Sequence, residues 1–256
     1  MATTLLRNHL GRALVDGVGS SYFSKAVVGR LAQTLDFQKM GGNKDYRRVL
    51  HAHYADSSEA WLTPVEIFAP HYAEAIGRSM LSRHRATFGA NEPLRICEVG
   101  GGTGTAVVSL LSWLQRTSPA DYERCQYLLL EPSAHFAQVQ AARLRDAGVG
   151  AERARVVHAP ASDWHEALGG TQEGGWSLLL LEVLDNLPHD KLRLDLASGV
   201  LLETHVEPAP PPAADDETAE GGTRLHRPRG PLPACTALTQ GHTPTLLRTL
   251  PPPVSS

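Results

Sequence analysis

From Leu94 to Val99 the chain is a short apolar run of strand length, closed by four glycines within five positions, Gly100, Gly101, Gly102 and Gly104. An apolar helical pattern follows at once through Val107, Val108, Leu110, Leu111 and Leu114. The same alternation returns downstream. Gln126–Glu131 reads as a second buried strand, stopped by Pro132, with Ser133 placed to cap a helix through Phe136, Val139, Ala142 and Leu144. Arg155–Ala159 reads as a third strand. Leu178–Leu181 is a fourth, continuous and apolar as in a strand buried on both faces. Lys191–Leu194 and Val200–Val206 flank a turn at Asp195–Gly199 and predict a hairpin.

Upstream, residues 21–90 read as mainly helical. Tyr22, Phe23, Val27, Val28 and Leu31 form one apolar patch. Gly41-Gly42 breaks the chain, and Tyr46, Val49, Leu50 and His53 predict a short helix. At Thr63-Pro64-Val65-Glu66 the order of residues predicts a capped helix start: threonine at the N-cap, proline at the first position, glutamate closing a capping box. Ile67, Phe68, Tyr72, Ile76 and Met80 carry that helix toward residue 88. At the N-terminus, Leu5, Leu6, Leu10, Ala13 and Leu14 share a helix face, and no acid precedes Asp16. A short organellar presequence over residues 1–20 and an ordinary first helix both fit.

Strand–helix alternation over residues 91–207 predicts an α/β domain built on a parallel sheet. Composition changes at Pro208: 11 of the 18 prolines fall in the last 49 residues, which read as a proline-rich disordered tail over 208–256. A chain of 256 residues with 42% hydrophobic content can bury a sizeable core. Its net charge of −3 offers no argument for nucleic acid or an anionic membrane. No apolar run reaches membrane-spanning length, so no membrane insertion is expected. The three cysteines, Cys97, Cys125 and Cys235, lack metal-ligand spacing, no metal site is expected, and Cys97 reads as a small core residue. His51 and His53, two apart on a helix, point away from each other and make poor metal ligands.

The glycine-rich turn between a strand and a helix lets backbone approach a ligand that a Cβ would push away. Its spacing, Glu98-x-Gly100-x-Gly102-x-Gly104, lacks the last glycine of a dinucleotide fingerprint and the lysine of a phosphate-binding loop. It resembles motif I of class I S-adenosylmethionine (SAM) methyltransferases. A carboxylate at Glu98 can attract the methionine ammonium of that donor, and Gly100, Gly101, Gly102 and Gly104 can bring the backbone against it; close strand–helix packing alone would also call for such glycines. Glu131 ends the next strand, where a carboxylate accepts from ribose hydroxyls or stands as a solvated charge. Asp163 can accept from the adenine amine and Trp164 can stack on the ring, or Ser162 and Asp163 can cap a short helix. Glu182, Asp185 and Asn186 follow the fourth strand, where they can hold a cationic or amide group of a substrate; Asp185 and Asn186 can also simply form a turn before Pro188.

Thr63-Pro64-x-Glu66-Ile67-Phe68, Glu98-Val-Gly-Gly-Gly-Thr-Gly, Glu131-Pro132-Ser133 and Glu182-Val183-Leu184-Asp185-Asn186-Leu187-Pro188 together resemble the MidA-like methyltransferases, over roughly residues 20–207. That family includes the mitochondrial protein-arginine methyltransferase needed for respiratory complex I assembly. The resemblance implies a class I Rossmann-like sheet with an N-terminal helical extension, SAM as cofactor, symmetric dimethylation of an arginine in a complex I subunit, and a mitochondrial location. By motif position it places Gly100, Gly102, Gly104 and Glu131 on the donor, Thr63 and Glu66 at its border, and Glu182, Asp185 and Asn186 toward the substrate. A guanidine nitrogen would then attack the sulfonium methyl in line, with a carboxylate dispersing the guanidinium charge.

A sheet of this class has seven strands, and this sequence offers four and a hairpin before the proline-rich segment. The sheet is therefore expected to be incomplete on its C-terminal side, with an unpaired edge. That supports a further reading, a SAM-binding assembly protein without turnover; a methyltransferase of another substrate on the same fold also fits the sequence.

Overall fold

A computed structural model of the chain describes residues 4–16, 22–24, 28–31, 33–56, 62–169 and 175–206. Val27, Trp61, Gly174 and the proline-rich segment from 208 lie outside them. The chain divides into two compact units, one of residues 14–186 and one joining residues 1–13 to 187–256.

The smaller unit begins with β1 (Thr4–Leu5) and α1 (Leu6–Gly11). The larger opens with the helical region: α2 (Asn43–Asp56), α3 (Pro64–Ile67) and α4 (His71–Phe88). The helix expected to run unbroken from Pro64 to 88 is instead two, separated at 68–70, where the Ala69–Pro70 peptide is cis. Proline has no N–H to give an α-helical ladder, so the break falls there. β2 (Arg95–Val99), α5 (Thr105–Thr117), α6 (Pro119–Arg124), β3 (Gln126–Glu131), α7 (Ala134–Asp146), β4 (Ala154–His158), α8 (Trp164–Ala167) and β5 (Trp176–Leu180) follow. The sequence places each of these four strands within two residues of its observed start.

The four strands form one parallel sheet in the order β4-β3-β2-β5. After β4 the chain returns to the far side of β2, so strand order reverses between β2 and β5. Open α/β sheets bind ligands outside the strand carboxyl ends at such a reversal. Side chains alternate across the sheet. Ile96, Tyr127, Leu129, Ala154 and Leu179 bury one face with Leu81 of α4 and Leu110, Leu111 and Leu114 of α5. Cys97, Val99, Leu128 and Leu130 bury the other with Leu168. Where α4 meets α5, Gly77 admits the Trp113 ring, 3.0 Å from where a Cβ would stand.

The run Leu178–Leu181 is not buried on both faces: Leu178 is 48% exposed. Among the described residues β5 pairs with β2 alone, and an edge strand keeps one flank open.

In the smaller unit, β6 (Leu192–Asp195) and β7 (Val200–Glu203) form the expected antiparallel hairpin. Its turn is held by Ala197 N–H donating to Asp195 Oδ1 and by Gly199 at φ +68°. β8 (His205–Val206) pairs with β1, and Arg7 bridges to Asp190 at 2.9 Å. No described helix is long and apolar enough to cross a membrane.

Candidate functional site

β2 ends in the glycine turn, and its backbone conformation explains its composition. Gly100, Gly102 and Gly104 stand at φ +66°, +53° and +78°, where an L side chain is strained. Gly101 lies elsewhere in φ, yet a Cβ on it would come within 2.7 Å of Leu129 Cδ2. The turn is pinned by Gly100 N–H donating to Leu130 O and by Gly104 N–H donating to Gly101 O, each at 2.9 Å. A Cβ at Gly100 would stand 3.1 Å from Val183, so the segment after β5 packs directly on the turn.

Glu98 lies beneath that turn, 3% exposed, and accepts from Tyr127 Oη at 2.7 Å. Burial pushes its carboxyl up to about 7; the Tyr127 hydrogen bond opposes the shift, and Glu131 adds to it. Glu98 thus supports the turn through the neighbouring strand.

Glu66 does not close a capping box, and Thr63, though at the N-cap of α3, makes no side-chain cap bond. The Glu66 carboxylate is buried and reaches the turn instead, where Oε1 accepts from Thr103 Oγ1 and, at 2.5 Å, from Thr105 Oγ1. Thr105 is the first residue of α5, so this carboxylate meets the positive end of that helix. An incoming phosphate would have to share the position with a buried negative charge. Arg143 of α7 closes the cluster, donating to Thr103 O at 3.1 Å and to both threonine hydroxyls. Burial, with Arg30 nearby, lowers the Arg143 pKa.

Glu131 ends β3, 4% exposed. Its Oε1 accepts from Ser133 N–H and its Oε2 from Gln140 Nε2, both at 2.9 Å. Burial raises its pKa, while those two donors and His158 pull the other way. Each oxygen of an ionised carboxylate takes two donors, so one acceptor position remains on each. Ser133 caps α7 as expected, accepting from Phe136 N–H at 3.4 Å, and donates to Phe23 O at 2.7 Å.

Gln140, Tyr127, Thr103, Thr105 and Arg143 escape the sequence reading. The buried face of α7 is Phe136, Gln140 and Leu144, spaced by four; the apolar pattern holds Phe136 and Leu144 but sets Val139 and Ala142 between them in place of Gln140. The spacing was present in the sequence, but a glutamine does not count toward an apolar stripe.

The remaining candidates line the same carboxyl edge. After β4, Asp163 is half-buried and makes no cap bond to α8; Ser162 Oγ donates to its Oδ1 at 2.8 Å. Trp164 is 39% exposed, its ring edge-on to His165. After β5, Glu182 and Asp185 are exposed and Asn186 is half-buried. Asn186 Nδ2 donates back to Glu182 O at 3.0 Å, so this side chain does form the turn. Glu182 stands at φ +54°, the one described non-glycine residue in the left-handed region. Such conformations cost energy and concentrate at binding sites. Among the described residues no group of His, Cys, Asp and Glu could hold a metal. Cys97 is buried and its thiol is pushed up to about 11, which leaves it unreactive.

A family model, that of S-adenosyl-L-methionine-dependent methyltransferases, matches residues 75–243. A Burkholderia thailandensis protein crystallised bound to S-adenosyl-homocysteine is 19% identical over 79% of this chain and 45% of its own, with a TM-score of 0.48. A native crystal structure from the same organism gives 17%, 79%, 43% and 0.43 for the same quantities. An O-methyltransferase from Bacillus cereus in complex with S-adenosyl-homocysteine is 15% identical over 56% of each chain, with a TM-score of 0.34. The chain thus spans under half the length of the two Burkholderia proteins. No curated protein matches it in sequence.

Proposed function

This chain belongs to the family of S-adenosyl-L-methionine-dependent methyltransferases, and we propose that it carries a methyl group from SAM to an arginine of a respiratory complex I subunit in the mitochondrion. One observation supports the donor site above the rest: the glycine turn and a buried carboxylate, Glu131, stand at adjacent strand ends with acceptor positions to spare. The residues suit the group. SAM is an amino acid sulfonium joined to a nucleoside and carries no phosphate, and the end of α5 already faces Glu66.

Bound there, SAM supplies an electrophilic methyl on sulfur. The chain's own residues do the rest. Glu131 would accept from the ribose hydroxyls, and the glycine backbone would let the amino acid part approach. Asp163 and Trp164 follow β4, the strand paired with β3, where they would border the adenine. Glu182 and Asp185, both exposed, would offer carboxylates to a guanidinium, and hydrogen bonds between ionised partners are stronger than neutral ones. Held so, the acceptor nitrogen would be oriented and its growing positive charge dispersed. The arginine substrate and the mitochondrial setting rest on the resemblance carried by the Thr63–Phe68 and Glu182–Pro188 motifs.

Incubation with methyl-labelled SAM and complex I subunits tests this reading. Label recovered as symmetric dimethylarginine is the expected result. Label on lysine or on a small molecule would overturn the arginine assignment, and no label on any acceptor would overturn the transfer.

A further inference from the structure

We propose that Gln140 is a positioning residue for the donor's ribose, acting through Glu131. This rests on the donor site proposed above. Gln140 is fully buried on α7, yet it is not packing apolar surface. Its Nε2 donates at 2.9 Å both to Gly102 O in the glycine turn and to Glu131 Oε2 at the end of β3. One amide therefore fixes the turn and the carboxylate relative to each other. The packing is close as well: a Cβ at Gly104 would stand 3.5 Å from both Gln140 Cα and Cγ.

The amide makes these two bonds at a cost. Gln140 Oε1 is buried without a hydrogen-bond partner among the described residues. A buried acceptor left unpaired is unfavourable, and a leucine of similar size would avoid it. The arrangement is intelligible if the two donated bonds serve a purpose beyond filling space. One of them holds Glu131 Oε2 from the α7 side while Ser133 N–H holds Oε1. The carboxylate is locked in one rotamer, so its remaining acceptor positions are preset for two neighbouring hydroxyls. Gly102, at φ +53°, has its carbonyl tied into the same bond network.

The test is a comparison of S-adenosyl-homocysteine with its 2′,3′-dideoxy analogue by calorimetry on the whole chain. Hydrogen bonds to a charged acceptor predict that the unaltered protein prefers the hydroxylated ligand by roughly 10- to 100-fold. Gln140→Met keeps length and volume but removes both donors. It should reduce that preference to about threefold or less, chiefly by weakening the hydroxylated ligand, with the dideoxy ligand bound nearly as before. Should Gln140→Met not fold, Gln140→Leu, which also lacks both donors and leaves no unpaired acceptor, gives the same readout. A preference unchanged in a folded variant would overturn the proposal, as would equal weakening of both ligands, the mark of a merely structural role. If the unaltered protein binds neither ligand, the donor site itself is wrong and this inference falls with it.

Discussion

Tyr127 donates its hydroxyl to Glu98 Oε2 over 2.7 Å, joining two adjacent parallel strands directly beneath the glycine turn. Both residues are buried, so the bond is made where water cannot replace it. Removing the donor leaves a carboxyl without a partner. Tyr127→Phe should lower stability by about 1–2 kcal/mol. The loss should be larger at pH 8, where Glu98 is ionised, than at pH 5. Urea denaturation at the two pH values checks it, and an equal loss at both would contradict the pairing.

The ionisation of Glu98 sets a pH dependence of its own. Its carboxyl titrates near 7 in the folded chain, against an ordinary value of 4.5. Between these values the folded state holds a proton that the unfolded chain has lost. Stability is fully present below the lower value and falls as pH rises through the upper one, by at most about 3 kcal/mol. Glu98→Gln removes this slope. Its stability relative to the unaltered chain should therefore rise between pH 5 and pH 8. Parallel curves for the two proteins would show that Glu98 is not held in this way.

Glu66 couples the helical region to the turn through two threonine hydroxyls. Glu66→Ala strands both hydroxyls and removes the negative partner of Arg143 and of the end of α5. A loss of roughly 2–4 kcal/mol is expected, with weaker donor binding alongside. Were Glu66 only a helix cap, the loss would be near 1 kcal/mol and ligand affinity would not move.

Two glycine substitutions separate space from backbone strain. Gly101→Ala places a methyl 2.7 Å from Leu129 Cδ2 and 3.3 Å from Glu98 Cδ, so it overpacks the core side of the turn by about 1–3 kcal/mol. Gly102→Ala meets nothing closer than Val28 at 4.0 Å and carries only its left-handed backbone, about 1–2 kcal/mol. Thermal melts of the two variants check the order. Compensation by Leu129→Ala should occur for Gly101→Ala alone.

The strands and the glycine corner are legible in the sequence because continuous apolar runs ending in acid and glycine have few other uses. The polar network beneath them is not. Glu66 finds its partners 37 and 39 residues further on, and from the local sequence Thr63-Pro64-Val65-Glu66 is indistinguishable from a capping box. Gln140 is hidden for a related reason: its partner Gly102 is 38 residues away, and apolar periodicity passes over it. Leu178 shows a third limit. An apolar run reads alike in a central and an edge strand, and only the neighbouring strands decide which flank is covered.

Calorimetric titration of the chain with SAM tests the central claim most directly. The geometry predicts saturable one-site binding, weakened roughly tenfold or more by Glu131→Gln, which keeps the shape but takes away the charged acceptor. A folded chain that takes up no SAM, or a Glu131→Gln variant that binds it unchanged, would contradict the account.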